Sequence, residues 1–221
     1  MLSIELRPES PADFRAVEEL TRNAFWNHHA PGCDEHYLAH ILRESSNFVP
    51  ELDYVAVQDG KVVGSIMYTR ARIVLDRGGE RGVLCFGPLA VEPAFQGQGV
   101  GGALIERTKV LAQELGYGAI LIFGDPAYYS RFGFVPAEQY GVGTSWGVYI
   151  ISLQACELQP GALEDCEGYF EESRDFQIDP EKSAAFDKGF SYKEKVEGLP
   201  SQERFQWIIQ QTKPRCRRGC S

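Results

Sequence analysis

Four glycines fall within six positions at Gly97, Gly99, Gly101 and Gly102, directly after Phe95-Gln96 and interleaved with Gln98 and Val100. An amphipathic run over Val100–Leu115 predicts that this loop opens a helix. Glycines there leave the first unpaired N–H groups and the positive end of the helix dipole bare, so an anion can approach closely. A phosphate cradle is one reading, and a plain turn from strand to helix is the other. The further residues with chemistry to offer are Tyr128-Tyr129, Cys85, Glu92 and the histidines at 28, 29, 36 and 40. His36 and His40 lie four apart on one face of a predicted helix, as two metal ligands would, but no third ligand is evident. Exposed helix histidines are the alternative. Cys85 sits in a strongly apolar strand, where a thiol is usually inert packing and only seldom an acyl carrier.

Two better-known phosphate loops do not fit. A P-loop requires Lys-Ser or Lys-Thr after its glycines, and none follows here. A dinucleotide fingerprint can be laid on Gly97, Gly99 and Gly102, but it belongs to the first strand of a parallel unit. Here predicted strands and helices occupy Met1 to Phe95. Ser10-Pro11 starts a helix whose inner face carries Phe14, Val17, Thr21 and Ala24 or Phe25. A second, short helix is predicted over Asp34–Glu44. Strands follow at Asp53–Gln58 and Lys61–Val74 around an Asp59-Gly60 hairpin turn, and at Val83–Val91. Gly87-Pro88 marks a bulge or a break in pairing within that last strand. After the loop, Leu104, Leu111 and Leu115 form the predicted inner stripe, Gly118–Phe123 a buried parallel strand, and Trp146–Leu153 a last sheet strand.

The pattern Gln-x-x-Gly-x-Gly, spelled by Gln96, Gly99 and Gly101 after Leu89-Ala90-Val91-Glu92-Pro93, resembles the pyrophosphate loop of the GNAT superfamily of N-acetyltransferases. Tyr128-Tyr129-Ser130-Arg131-Phe132-Gly133-Phe134 resembles its second signature, in which a tyrosine precedes Gly-Phe by four residues. The resemblance covers roughly Leu2 to Gln154, and the whole chain is similar to bacterial predicted acetyltransferases with a C-terminal extension. It implies an α+β fold with a mixed, mostly antiparallel sheet splayed at its central strand and flanked by helices. It implies acetyl-CoA as co-substrate, with no metal. Leu89, Ala90 and Val91 would line the pantetheine arm, with an amide near Leu89 polarising the thioester carbonyl. Gln96, Gly97, Gln98, Gly99, Val100, Gly101 and Gly102 would hold the pyrophosphate. Tyr129 would protonate the leaving thiolate. Many members carry asparagine where this chain has Gly124-Asp125, which leaves one contact to CoA at that corner open.

The implied reaction is direct attack of an amine, from a small molecule or a peptide, on the thioester. The base is not evident: Val83-Leu84-Cys85-Phe86-Gly87 offers no carboxylate where some relatives place a glutamate. Glu92 is either the base or a solvated turn residue, and a water relay would need neither. A noncatalytic acyl-CoA sensor is the competing reading.

The 221 residues carry a formal net charge of −9 and 43% hydrophobic content. That acidity argues against nonspecific nucleic-acid binding and suits a cationic acceptor. Six scattered cysteines without a Cys-x-x-Cys pair, and no basic-then-apolar leader, predict a reducing, cytoplasmic setting. No apolar run approaches the ~18 residues of a membrane span. The predicted division is a catalytic domain at 1–154 and an extension at 155–221. The extension holds an acidic hairpin over Glu157–Glu181, a helix over Ser201–Gln211 that docks on the core or on a second subunit of a homodimer, and a basic tail with Cys216 and Cys220.

Overall fold

The computed structural model describes residues 4–215; the predicted tail cysteines lie outside the described residues. The chain begins with β1 (Glu5–Pro8), α1 (Phe14–Phe25), α2 (Glu35–Leu42), β2 (Tyr54–Gln58), β3 (Lys61–Leu75) and β4 (Glu80–Val91). It continues through α3 (Val100–Glu114), β5 (Ala119–Phe123), α4 (Pro126–Tyr129), β6 (Val135–Pro136), β7 (Val142–Thr144), β8 (Val148–Ile150) and β9 (Leu153–Glu157). The last elements are β10 (Gly168–Glu171), α5 (Pro180–Asp187), α6 (Pro200–Gln210) and β11 (Thr212–Pro214).

Among the described residues the main sheet has nine strands. Seven run in the order β1-β2-β3-β4-β5-β9-β6, and β10 pairs with both β3 and β7. Pairing is antiparallel except for β4 with β5 and β10 with β7. Local chemistry explains the starting points. Asp59 and Gly60 both take positive φ in the turn between β2 and β3, the conformation that a two-residue hairpin needs. Asp13 reaches back to the Ser10 N–H at 2.9 Å and is clamped by Arg7 at 2.7 and 2.8 Å, fixing the turn that feeds α1.

Two features of β4 set up the site. Ile66 of β3 faces Leu89 and Tyr68 faces Phe86, so β4 takes three steps where β3 takes two, and the extra residue falls at Gly87-Pro88. This is the bulge expected from the sequence. On its other edge β4 meets β5 at one register pair, Leu84 with Ile120, beyond which the two strands have no mutual pairing. The sheet is splayed at its centre, as the resemblance implied.

α3 lies on β3. A Cβ at Gly64 would meet Val100 Cγ1 at 2.9 Å and Leu104 Cδ1 at 3.1 Å, so the helix start seats against bare backbone. Thr108 of α3 and Tyr68 of β3 share a buried hydrogen bond of 2.9 Å. The buried stripe is Val100, Leu104, Ile105, Thr108 and Ala112, and Leu115, expected inside, is exposed. Leu115 follows the helix end, where the 3.6-residue period no longer governs which way a side chain points.

Other expectations are corrected here. The strand beside β5 is β9, not Trp146–Leu153. Within the latter segment β8 pairs with β11 in a separate ribbon, and only its last residue, Leu153, belongs to β9. An apolar run cannot say which neighbour it will meet. The boundary expected at 154 falls inside β9. The acidic stretch is no hairpin, because its strand β10 pairs with Arg72–Leu75 of β3 and with β7. Asp179 caps α5 through the N–H groups of Glu181 and Lys182, a helix not foreseen within or beyond that stretch.

Candidate active site

The glycine loop opens α3 with bare backbone. Gly97 and Gly99 take φ of +73° and +88°, and a Cβ at either would meet nothing within 4 Å. Gly99 caps α3 without a side-chain acceptor, and its carbonyl receives the Ala103 N–H at 2.9 Å. The amides of Val100, Gly101 and Gly102 thus form the orphan first turn of a fifteen-residue helix. Gln96 and Gln98 brace the loop from within. The Gln96 amide donates to the Val91 carbonyl at 3.0 Å and the Gln98 amide to Ala94 at 2.9 Å. Val100 is buried against β3 and serves as the anchor of this turn.

Gly101 and Gly102 have a second reason to lack side chains. A Cβ at Gly101 would stand 2.6 Å from the Tyr128 hydroxyl, with Val91 and Leu89 side chains beyond, and one at Gly102 would stand 2.9 Å from the Phe132 ring. The helix start, the open edge of β4 and α4 therefore converge. Leu89 and Val91 are half-buried on this edge while Ala90 is fully buried.

Tyr129 is placed by aromatic packing. Its ring lies near Phe86 at 5.7 Å and Phe134 at 5.7 Å, and edge-on to Tyr128 at 4.9 Å. It also lies directly on Gly124, where any Cβ would overlap it. Gly124 is the departure from the pattern noted in the sequence, and this contact is its structural reason. The neighbouring Asp125 caps α4 through the Ala127 N–H and is gripped by Arg204 of α6 in two bonds of 3.0 Å. Burial first, then the neighbouring Tyr128 and Cys85, holds the Tyr129 phenol above its ordinary pKa. It is protonated at neutral pH, the state a proton donor needs, and its hydroxyl makes no hydrogen bond among the described residues.

The remaining candidates resolve differently. The Glu92 carboxylate accepts from the Asn23 amide at 3.1 Å at the far end of β4. Cys85 is fully buried, and burial with the nearby Glu172 carboxylate pushes its thiol well up, away from nucleophilic use. His36 is buried, with Nδ1 3.5 Å from the Cys33 sulfur and Nε2 3.1 Å from Asp187. His40 is exposed and bonds Glu18 at 2.9 Å. The two are not brought to a common point. Among the described residues no group of three or more His, Cys, Asp or Glu could hold a metal ion, and no helix is long and apolar enough to cross a membrane.

The described architecture has known counterparts. A family model for the acetyltransferase (GNAT) domain matches residues 51–136. The chain is 30% identical over 167 residues to YhbS, an uncharacterized N-acetyltransferase of Escherichia coli strain K12, spanning 75% of this chain and 94% of that protein. The chain belongs to the GNAT acetyltransferase family. The crystal structure of the E. coli GNAT protein YhbS in complex with CoA superposes with a TM-score of 0.71, covering 80% of this chain and 94% of that one. A GNAT acetyltransferase from Brucella melitensis in complex with acetyl-CoA follows at 26% identity and a TM-score of 0.63, covering 80% and 99%. The GNAT fold, with its splayed mixed sheet, is therefore shared with relatives that carry CoA or acetyl-CoA.

The residues that the sequence did not single out are Arg204, which grips Asp125 beside the gap, together with Glu172 and Phe176. Phe176 packs its ring against Gly87, 3.3 Å from where a Cβ would sit. No periodicity could have nominated it, since it reaches the bulge from 89 residues away in sequence.

Proposed function

We propose that this chain transfers an acetyl group from acetyl-CoA to a primary amine of a small molecule or peptide by direct attack. The observation that carries the reading is the gap between β4 and β5 beyond Leu84 and Ile120, with the orphan amides of α3 at its mouth. A pyrophosphate would rest on Gly97–Gly102, and the pantetheine arm would run along Leu89, Ala90 and Val91 as a substitute strand. Backbone N–H groups after the bulge would stabilise the developing oxyanion. Tyr129, protonated and free of competing hydrogen bonds, would hand its proton to the departing sulfur. Four described thiols are free, which suits a reducing cytoplasm.

Titration calorimetry of the purified chain with acetyl-CoA, NADH and ATP in parallel tests the donor site, and free-thiol release over a panel of amines tests transfer. Acetyl-CoA alone is expected to bind. Heat from NADH or ATP but none from acetyl-CoA would overturn the reading.

A further inference from the structure

An amine reaches a protein at neutral pH as its ammonium ion, so a group must remove a proton before the nitrogen lone pair can attack. β4 offers no carboxylate at the bulge, and Glu92 is engaged by Asn23 away from it. The segment following β10 supplies one instead. Phe170 places its ring 5.9 Å from Phe123, the last residue of β5, and Phe176 lies on Gly87 at the bulge of β4. Glu172 sits between these two anchors. It directly follows β10, whose last residue Glu171 pairs with Arg72, and it lies close enough to β4 for its charge to act on Cys85. The 170–176 segment thus bridges the two sides of the gap.

We infer that Glu172 is the general base of this active site, delivered to the bulge by the C-terminal part of the chain. The inference rests on the transferase reading above. A half-buried carboxylate with no hydrogen bond and no ion pair among the described residues is costly unless it has a task. Charges nearby on the same element are spent elsewhere: Glu171 on Arg72, and Asp175 on Ser45 and Ser173. From β3, Arg70 turns to the carbonyls of Ser46 and Phe48. From β4, the neutral Cys85 thiol feels the carboxylate, and Cys85 in turn acts on Tyr129 of α4. Desolvation alone lifts Glu172 to about 7, where a base both accepts and releases a proton readily.

The proton count closes. Glu172 takes one proton from the ammonium group and passes it to water. The amine nitrogen bonds to the carbonyl carbon, the carbon–sulfur bond breaks, and sulfur takes the Tyr129 proton. The second nitrogen proton, made strongly acidic once the nitrogen is acylated, leaves directly to water, and solvent restores the Tyr129 phenol, so one proton is released for each acetyl group transferred.

The test compares Glu172→Gln with the intact chain, using acetyl-CoA and two probe amines: glycinamide, largely charged near neutral pH, and trifluoroethylamine, largely neutral there. The variant should slow transfer to glycinamide about a hundredfold, lose the acidic limb of the pH profile near 7, and transfer to trifluoroethylamine within a fewfold of the parent. Equal slowing of both amines, or an unchanged profile, would overturn the assignment while leaving the transferase reading intact. Carboxyl-carbon NMR, with the Glu172 signal identified by its loss in the variant, decides independently of any acceptor. A midpoint near 7 supports the base, whereas one in the ordinary range of about 4.3 rejects it. Absence of transfer to either amine by the parent, with the midpoint near 7, would count against the transferase reading and not against the unusual carboxyl.

Discussion

Two regions of the molecule are built in opposite ways. The first, from β4 through α3 and β5 to α4, is one continuous stretch of chain whose bulge and helix opening are set by its own proline and glycines, with α3 seated on β3. The second region is stitched from segments far apart in the chain, α1 with its following turn and residues 187–202. Arg22 of α1 holds Asp187 at 2.6 Å and the Ser191 carbonyl at 2.9 Å. The side chains of Trp26 and Asn27 donate to the Glu194 carbonyl, and Gln202 of α6 returns to the Asn27 carbonyl at 3.0 Å. The contrast separates a ligand site that local turn chemistry can write from a surface that exists only once distant segments have met.

Substitutions should keep the two regions apart. The largest effect is expected from Gly101→Glu, which drives a side chain into Tyr128 and a negative charge into the cradle. Acetyl-CoA binding should vanish in calorimetry while the thermal unfolding of the chain stays cooperative. Retained affinity would remove the loop from the donor site. Arg22→Ala comes next: it strands Asp187 beside the buried His36 and should cost about 3 kcal/mol of stability in denaturant unfolding. Acetyl-CoA affinity should hold in the remaining folded protein. A matching loss of acetyl-CoA affinity would show that the two regions are coupled. Tyr129→Phe should reduce turnover about tenfold to a hundredfold with donor affinity unchanged, and an unaltered turnover would take the phenol out of the mechanism. The smallest effect is expected from Phe205→Ala, which removes the ring stacked 4.4 Å from His29. It should cost about 1 kcal/mol and leave thiol release with a saturating amine nearly unchanged.

Legibility in the sequence follows the same division. Gly97, Gly99 and Gly101 announced a helix opening, and Gly87-Pro88 announced a break in β4, because glycine and proline constrain the backbone where they stand. The Tyr128–Phe134 run was legible as a signature, though the reason for Gly124 was not, since only the folded chain lays the Tyr129 ring on it. The acidic segment read as a hairpin, whereas β10 joins the main sheet on the edge of β3. Charge counting sees a row of acids and cannot see which one a strand turns inward.

Taken alone, the sequence determined the order of the central elements, the glycine opening of α3, the bulge and the identity of the family. All of these rest on interactions between residues close in the chain or on backbone preferences fixed by residue type. Tertiary structure alone decided that β9 and not Trp146–Leu153 completes the sheet beside β5, that His36 is buried against Asp187, and that residues 170–176 cross the gap. Those outcomes depend on pairing between segments tens to more than a hundred residues apart, where burial and register choose among partners that composition leaves equivalent.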